Sequence, residues 1–265
     1  MIFHSDFETY YLWLPVFGFI IGFFGSLIGG GGGFFFLPVL MLFFQVPAQV
    51  AVTTSLAATI PVCVVGSISH KRKKNLDMKI GLIFALGGVL GAFGGAAFTN
   101  MLTSRQLKMA FGIYSIIMAL HIIWNTRKKK KTEAAGNKVK ELSNRSKITQ
   151  SSIYGILSGI VTGSFGTSGT APVLAGLFAI SMPLKLVVGT SLLIAGFNTI
   201  SALGAHFLVG MIDLTLVYLL TFGTMIGAFI GPRILAGYDI QKAENPVREW
   251  YSVGMIVFGV FMMII

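Results

Sequence analysis

Charge is scarce in this chain. Only 11% of its 265 residues are Asp, Glu, Lys or Arg, and 54% are hydrophobic. Soluble domains carry about 25% charged residues, so a soluble fold is excluded and a polytopic membrane protein is expected. Cysteine is all but missing. Cys63 stands alone, which excludes a disulfide within the chain and any relay that needs two thiols. A lone Cys among apolar neighbours reads as a small packing residue. Acid is scarcer than base, 9 residues against 20, for a net charge of +11. That balance would suit nucleic acid if it were spread out, but nine of the cations lie in 127–147 and five in 71–79. Clusters beside apolar runs mark topology and contact with anionic lipid, so no nucleic-acid partner is expected. The N-terminal region has no basic residue before Lys71, and no cleaved signal peptide is expected. No Lys follows the glycine run as a phosphate-binding loop requires, so neither ATP drive nor a cofactor is expected.

What is present is glycine in an unusual place. Gly29 to Gly33 form an unbroken run inside IIGFFGSLIGGGGGFFFLPVLMLFF. Such a stretch belongs in lipid, yet each glycine costs a helix roughly 1 kcal/mol against alanine. Non-helical backbone at membrane depth is tolerated only where protein buries it or it lines a cavity. Packing alone needs one small residue per turn, not five in a row. The run is therefore a candidate ligand or gating site. By contrast, Gly87, Gly91 and Gly95 are spaced by four and read as helix-packing positions. A second glycine-rich break, Gly163–Gly169, lies in GIVTGSFGTSGTAPVLAGLF.

The chain is duplicated. A shift of 136 lays residues 47–95 on 183–231 with twelve identities in 49 positions. Thr54-Ser55-Leu56 meets Thr190-Ser191-Leu192, His70 meets His206, and Asp77 meets Asp213. Apolar composition does not place His, Asp and a Thr-Ser pair in one register. Gly18 and Gly22 meet Gly155 and Gly159 at 137, and Pro38 meets Pro172 at 134. The expected organisation is a first transmembrane repeat over 1–125, a basic cytoplasmic linker over 126–148 and a second repeat over 149–265. Each repeat reads as an interrupted apolar element followed by three spans. These are 11–28 with 34–44, then 50–69, 79–99 and 107–125. Their counterparts are 149–165 with 171–181, then 185–205, 213–232 and 248–265.

Lys and Arg counts choose the topology. If each interrupted element crosses the membrane once, the cations divide 14 inside and 6 outside. If each is a hairpin that enters and returns, they divide 18 and 2. The second arrangement is expected. The fold class is then all-α polytopic membrane protein, with two inverted-topology repeats, each a broken, re-entrant-like helical hairpin plus three transmembrane helices. Both termini lie outside, and the 126–148 loop lies in the cytoplasm.

Short helices beginning at the breaks would aim their N-termini at the middle of the membrane. Each end offers unpaired N–H groups and about half a positive charge, so two of them facing one cavity make an anion site without a cationic side chain. The candidate substrate-binding residues are Ser26, Gly30, Gly31, Gly32, Gly33, Thr54, Ser55, Thr167, Ser168, Gly169, Thr170, Thr190, Ser191 and Asn198. The usual alternative for the hydroxyls is bonding within their own helix. His70 and His206 fall at opposite membrane edges in this scheme, as interfacial residues or as proton-sensitive gates. Asp77 and Asp213 each open a span and read as helix caps.

These residues resemble the TauE/SafE sulfite exporters. The resemblance rests on the glycine break before Pro38, on GIVTGSFGTSGTAP over Gly159–Pro172, on VGTSLLI over Val188–Ile194, on Asn198, and on the His206 to Asp213 spacing. It implies an inner-membrane secondary transporter that exports sulfite, an organosulfonate or a related anion, with membrane lipid as the other partner and a homo-oligomer left open. Two rival readings are a passive anion channel and an intramembrane serine hydrolase using Ser168 with His206. A cysteine placed at position 207 should label from outside the cell; labelling from the cytoplasm alone would contradict the inverted arrangement.

Overall fold

The computed structural model describes residues 2–28, 31–134, 143–207, 212–234 and 240–264. A short strand, β1 (Ile2–Phe3), and a 3-10 turn lead into α1 (Leu14–Ile28). There follow α2 (Gly33–Leu42), α3 (Ala48–Arg72), α4 (Met78–Asn100) and α5 (Ser104–Ala134). The second half holds α6 (Asn144–Phe165), α7 (Thr170–Ala179), α8 (Leu184–Phe207), β2 (Ile212–Asp213), α9 (Leu214–Ile234) and α10 (Ile240–Ile264). Among the described residues six helices are long and apolar enough to cross a membrane. Their outer faces carry exposed apolar side chains such as Leu86, Leu90, Ile117, Leu120 and Phe222, which suits a surface solvated by lipid. The chain is therefore an all-α polytopic membrane protein apart from one parallel pairing, Ile2 with Ile212 and Phe3 with Asp213.

Several elements are longer than expected, α3 (against 50–69) and α10 (against 248–265) among them. The span expected to end at 125 continues as α5 to Ala134, because Lys, Arg and Ala favour helix and no Gly or Pro intervenes before Gly136. The span expected to open at 149 begins as α6 at Asn144, where the Ser143 Oγ accepts the Ser146 N–H at 3.3 Å. Asp77 and Asp213 do cap their helices. Asp77 Oδ1 accepts the Ile80 N–H at 3.0 Å, and Asp213 Oδ1 accepts the Thr215 N–H at 2.9 Å.

Packing follows the small residues. A Cβ added at Gly91 would overlap the Ile156 carbonyl, one at Gly95 that of Ile160, and one at Gly163 that of Ala92. These contacts advance together along both chains, so α4 and α6 run parallel with backbones touching. The same holds for α9 and α1, where Gly223, Gly227 and Gly231 meet Pro15, Phe19 and Phe23. The contacts of Gly91 and Gly95 have their counterparts in those of Gly227 and Gly231 at the shifts of 136 and 137. Gly155 lies on Phe84 as Gly18 lies on Leu220, and Gly159 on Gly88 as Gly22 on Thr224.

Other pairs run antiparallel. Gly66 of α3 meets Leu192 of α8, while Gly196 of α8 meets Cys63 of α3. Gly112 of α5 meets Met263 of α10, while Gly259 meets Ile116. The interrupted elements fold back on themselves. Tyr10 and Tyr11, just ahead of α1, stack near Phe44, just after α2, with ring centroids 5.9 and 6.3 Å apart. Gly176 of α7 lies against Tyr154 of α6. Each break is thus the tip of a helical hairpin.

Gly94 tests this packing from the other side, since nothing lies within 4 Å of a Cβ there. Gly91→Ala should destabilise by about 1–3 kcal/mol through forced overpacking, whereas Gly94→Ala should be neutral or stabilising by up to about 1 kcal/mol. Thermal unfolding in detergent separates the two; equal effects would contradict the described α4–α6 contact.

Candidate functional site

The two hairpin tips are built by glycines in left-handed conformations. Gly31 and Gly32 have φ of +63° and +78°, and Gly166 and Gly169 have +64° and +59°. A side chain at these angles is strained. Gly30 lies outside the described residues. Gly32 caps α2 and Gly169 caps α7, and neither cap supplies a side-chain hydrogen bond to the first turn. The cap carbonyls serve the Phe35 N–H at 3.0 Å and the Val173 N–H at 3.2 Å, and the N–H groups of Gly33 and Phe34 ahead of them have no acceptor within α2. Pro172 takes the third position of α7, where a missing N–H leaves no intrahelical bond unmade.

The tips meet. A Cβ at Gly33, the first residue of α2, would stand 2.8 Å from the Ser168 amide nitrogen and 3.0 Å from Thr59 Oγ1. The start of α2 therefore lies against the start of α7, both contributing partial positive charge to one place. Ser55 of α3 joins them. Its Oγ donates to the Gly166 carbonyl at 2.7 Å, with the Gly33 carbonyl at 3.4 Å. Thr59, one turn on, donates to the Ser55 carbonyl at 2.8 Å.

The second tip is rich in hydroxyls. Ser168 and Thr170 share a short hydroxyl–hydroxyl hydrogen bond. Thr167 Oγ1 is buried with no partner among the described residues. Asn198 is fully buried; its Nδ2 donates to Ser158 Oγ at 2.8 Å, and its Oδ1 has no partner. A Cβ at Gly88 would overlap that Oδ1, so glycine there is what admits the amide.

Several expected site residues are engaged elsewhere. Ser26 Oγ donates to the Phe23 carbonyl at 2.9 Å within its own helix. Thr190 Oγ1 accepts the Asp77 N–H at 2.9 Å and so fastens the start of α4. Ser191 Oγ donates to the Val188 carbonyl at 2.9 Å. Thr54 is fully buried, and its hydroxyl has no partner. The histidines differ from one another. His70 is partly exposed at the end of α3. His206, expected at an interface, is 2% exposed, with Nε2 2.7 Å from the Gly163 carbonyl. A carbonyl only accepts, so Nε2 carries the proton. Ser168 and His206 thus each have other partners, and the structure does not pair them as nucleophile and base.

Four residues were not anticipated. Thr59 lies beside the first tip and Thr162 beside the second, where a Cβ at Gly169 would stand 2.5 Å from Thr162 Oγ1. Ser158 receives the Asn198 amide. Thr99 Oγ1 reaches the Ser164 carbonyl at 2.7 Å and the Gly163 carbonyl at 3.2 Å, tying the end of α4 to the residues before the tip. The available signal was spacing by four: Thr59 follows Ser55, and Thr162 follows Ser158 and precedes Gly166. A cavity of about 530 Å³ lies off the tips, between α3 and α9, walled by Pro61, Val62, Met225 and Phe229 among other apolar residues.

Membrane-length helices packed about two interrupted hairpins whose tips meet define a polytopic membrane protein. The profile of the family described as "Sulfite exporter TauE/SafE" matches residues 14–262. The chain belongs to the TauE/SafE sulfite exporter family. It is 29% identical to the probable membrane transporter protein YdhB of Bacillus subtilis, over 81% of this chain and 86% of that one. It is 26% identical to the probable membrane transporter protein YunE of the same organism, over 93% and 94%. Identity is 25% to the probable membrane transporter protein MJ0441 of Methanocaldococcus jannaschii, over the full length of both. No solved structure is significantly similar.

Proposed function

We propose that the chain is a secondary transporter that exports an anionic sulfur compound, sulfite or an organosulfonate, across the cytoplasmic membrane. The observation that carries this is the meeting of two helix N-termini at Gly33 and Ser168, with the Thr167 hydroxyl buried beside them and unpartnered. Backbone N–H groups converging with hydroxyls suit an oxyanion that accepts several hydrogen bonds. In this reading Gly31–Gly33, Thr167–Thr170, Ser55 and Thr59 surround the anion. Asn198 and Ser158 hold the second hairpin.

The two halves, 1–125 and 149–265, act as repeats of inverted topology. The antiparallel course of α3 with α8 and of α5 with α10 supports this, because equivalent helices of inverted repeats run oppositely. Each hairpin then enters from one side and returns to it. α2 and α7 are ten residues each, about 15 Å at 1.5 Å per residue, roughly half of the hydrocarbon thickness. The tips therefore fall near the midplane. The termini lie outside and the basic 126–148 segment inside. An internally negative potential favours outward movement of an anion by about 2.3 kcal/mol per charge per 100 mV. His206, bonded beside the second tip, and His70 serve as gating residues.

Isothermal titration with sulfite, sulfoacetate and sulfate tests the substrate class, and binding of none of the three would refute it. Thr167→Val gives the site its own test. An unpartnered buried hydroxyl contributes nothing to the empty fold, so the variant should unfold at or above the wild-type temperature. Its anion affinity should fall about tenfold, through loss of one hydrogen bond to a charged ligand. Unchanged affinity would remove Thr167 from the site.

A further inference from the structure

We propose that Ser55 couples anion occupancy to the release of the second hairpin from α3; this rests on the anion-site reading above. Ser55 belongs to α3 of the first half, yet its strongest contact is with the second, the Gly166 carbonyl at 2.7 Å. The Gly33 carbonyl of the first tip stands further off, at 3.4 Å. The residue is fully buried, and it bonds to both tips. The approach that makes this bond is built in. Gly166 has φ of +64°, and a Cβ there would stand 2.5 Å from the Val52 carbonyl oxygen. Only glycine lets the tip come this close to α3.

A hydroxyl carries one proton and can serve one strong acceptor at a time. With no ligand that acceptor is the Gly166 carbonyl, and the bond clasps the second hairpin to α3. An anion between the starts of α2 and α7 is a better acceptor, since charge-assisted hydrogen bonds are roughly twice as strong as neutral ones. The Ser55 O–H rotates to it and releases the Gly166 carbonyl. The clasp between α3 and the second hairpin is thereby exchanged for a contact with the substrate. No covalent bond changes. The consequence is a transporter whose second hairpin leaves α3 more readily when loaded than when empty, which is what favours exchange over leak.

The test uses the full-length protein and the variants Ser55→Ala and Ser55→Thr. Hydrogen–deuterium exchange of peptides spanning 160–172, with no anion present, reads the clasp alone. Loss of one hydrogen bond should speed exchange there by about three- to tenfold in Ser55→Ala, and Ser55→Thr should restore protection. In proteoliposomes loaded with sulfite, Ser55→Ala should raise KM about tenfold. It should also raise net efflux relative to sulfite–sulfite exchange about threefold, with Ser55→Thr again restoring both. Unchanged amide exchange in Ser55→Ala would overturn the clasp whatever the substrate. Faster amide exchange with unchanged KM and an unchanged efflux-to-exchange ratio would overturn the coupling. Faster amide exchange in a protein whose wild type carries no sulfite would overturn the anion reading instead, and would leave Ser55 a structural clasp.

Discussion

Backbone that stops being helical inside hydrocarbon must find partners for its own amides and carbonyls, because no water is there to supply them. That constraint organises this molecule. The carbonyls before the second tip, at Gly163, Ser164 and Gly166, receive His206, Thr99 and Ser55. The cap residues of α2 and α7, Gly32 and Gly169, bring no side chain to the first-turn amides. The proposed site turns on a chemical asymmetry: these carbonyls are satisfied by side chains, while the starts of α2 and α7 lie against one another at Gly33 and Ser168. A site with donors to spare and no cation is suited to an anion that must also leave, since Lys or Arg would hold it more tightly.

Everything around the tips is arranged to let backbone approach backbone. Lipid is as apolar as the helix faces, so association depends on close packing rather than on hydrophobic burial. Glycines on α4, α6, α1 and α9 provide that closeness, and the two pairings are equivalent under the duplication. The hairpins are thereby held by rigid helix pairs, α1 with α9 and α4 with α6, each drawn from opposite halves. The tips are held by single hydrogen bonds such as that of Ser55. A rigid frame around weakly tied tips is the mechanical arrangement that alternating access requires.

Much of this was legible in the sequence. The apolar runs, the helix caps at Asp77 and Asp213, the two breaks and the small-residue packing at Gly87, Gly91 and Gly95 follow from periodicity, spacing and glycine chemistry. Less legible was which way each hydroxyl points. Thr190 and Ser191 are neighbours with the same repeat pedigree as Thr54 and Ser55, yet Thr190 is engaged at the start of α4 while Ser55 reaches across to Gly166. A turn of about 100° per residue separates such neighbours, and the duplication fixes their register without saying what each will meet. His206 escaped for a related reason. Its place in the chain near the end of α8 says nothing about its side chain reaching the Gly163 carbonyl. The helical continuation of α5 through its basic residues escaped because polarity was taken for a boundary, whereas Lys and Arg favour helix once outside lipid.

The central claim is that the two tips hold one anion between them. Selenite, a heavier relative of sulfite that scatters anomalously, locates it directly in crystals of the full-length protein. The account predicts a single peak within hydrogen-bonding distance, about 3 Å, of the backbone nitrogens at Gly33 and Ser168 and of Thr167 Oγ1. A peak elsewhere, with the tips still in contact and empty, would contradict it.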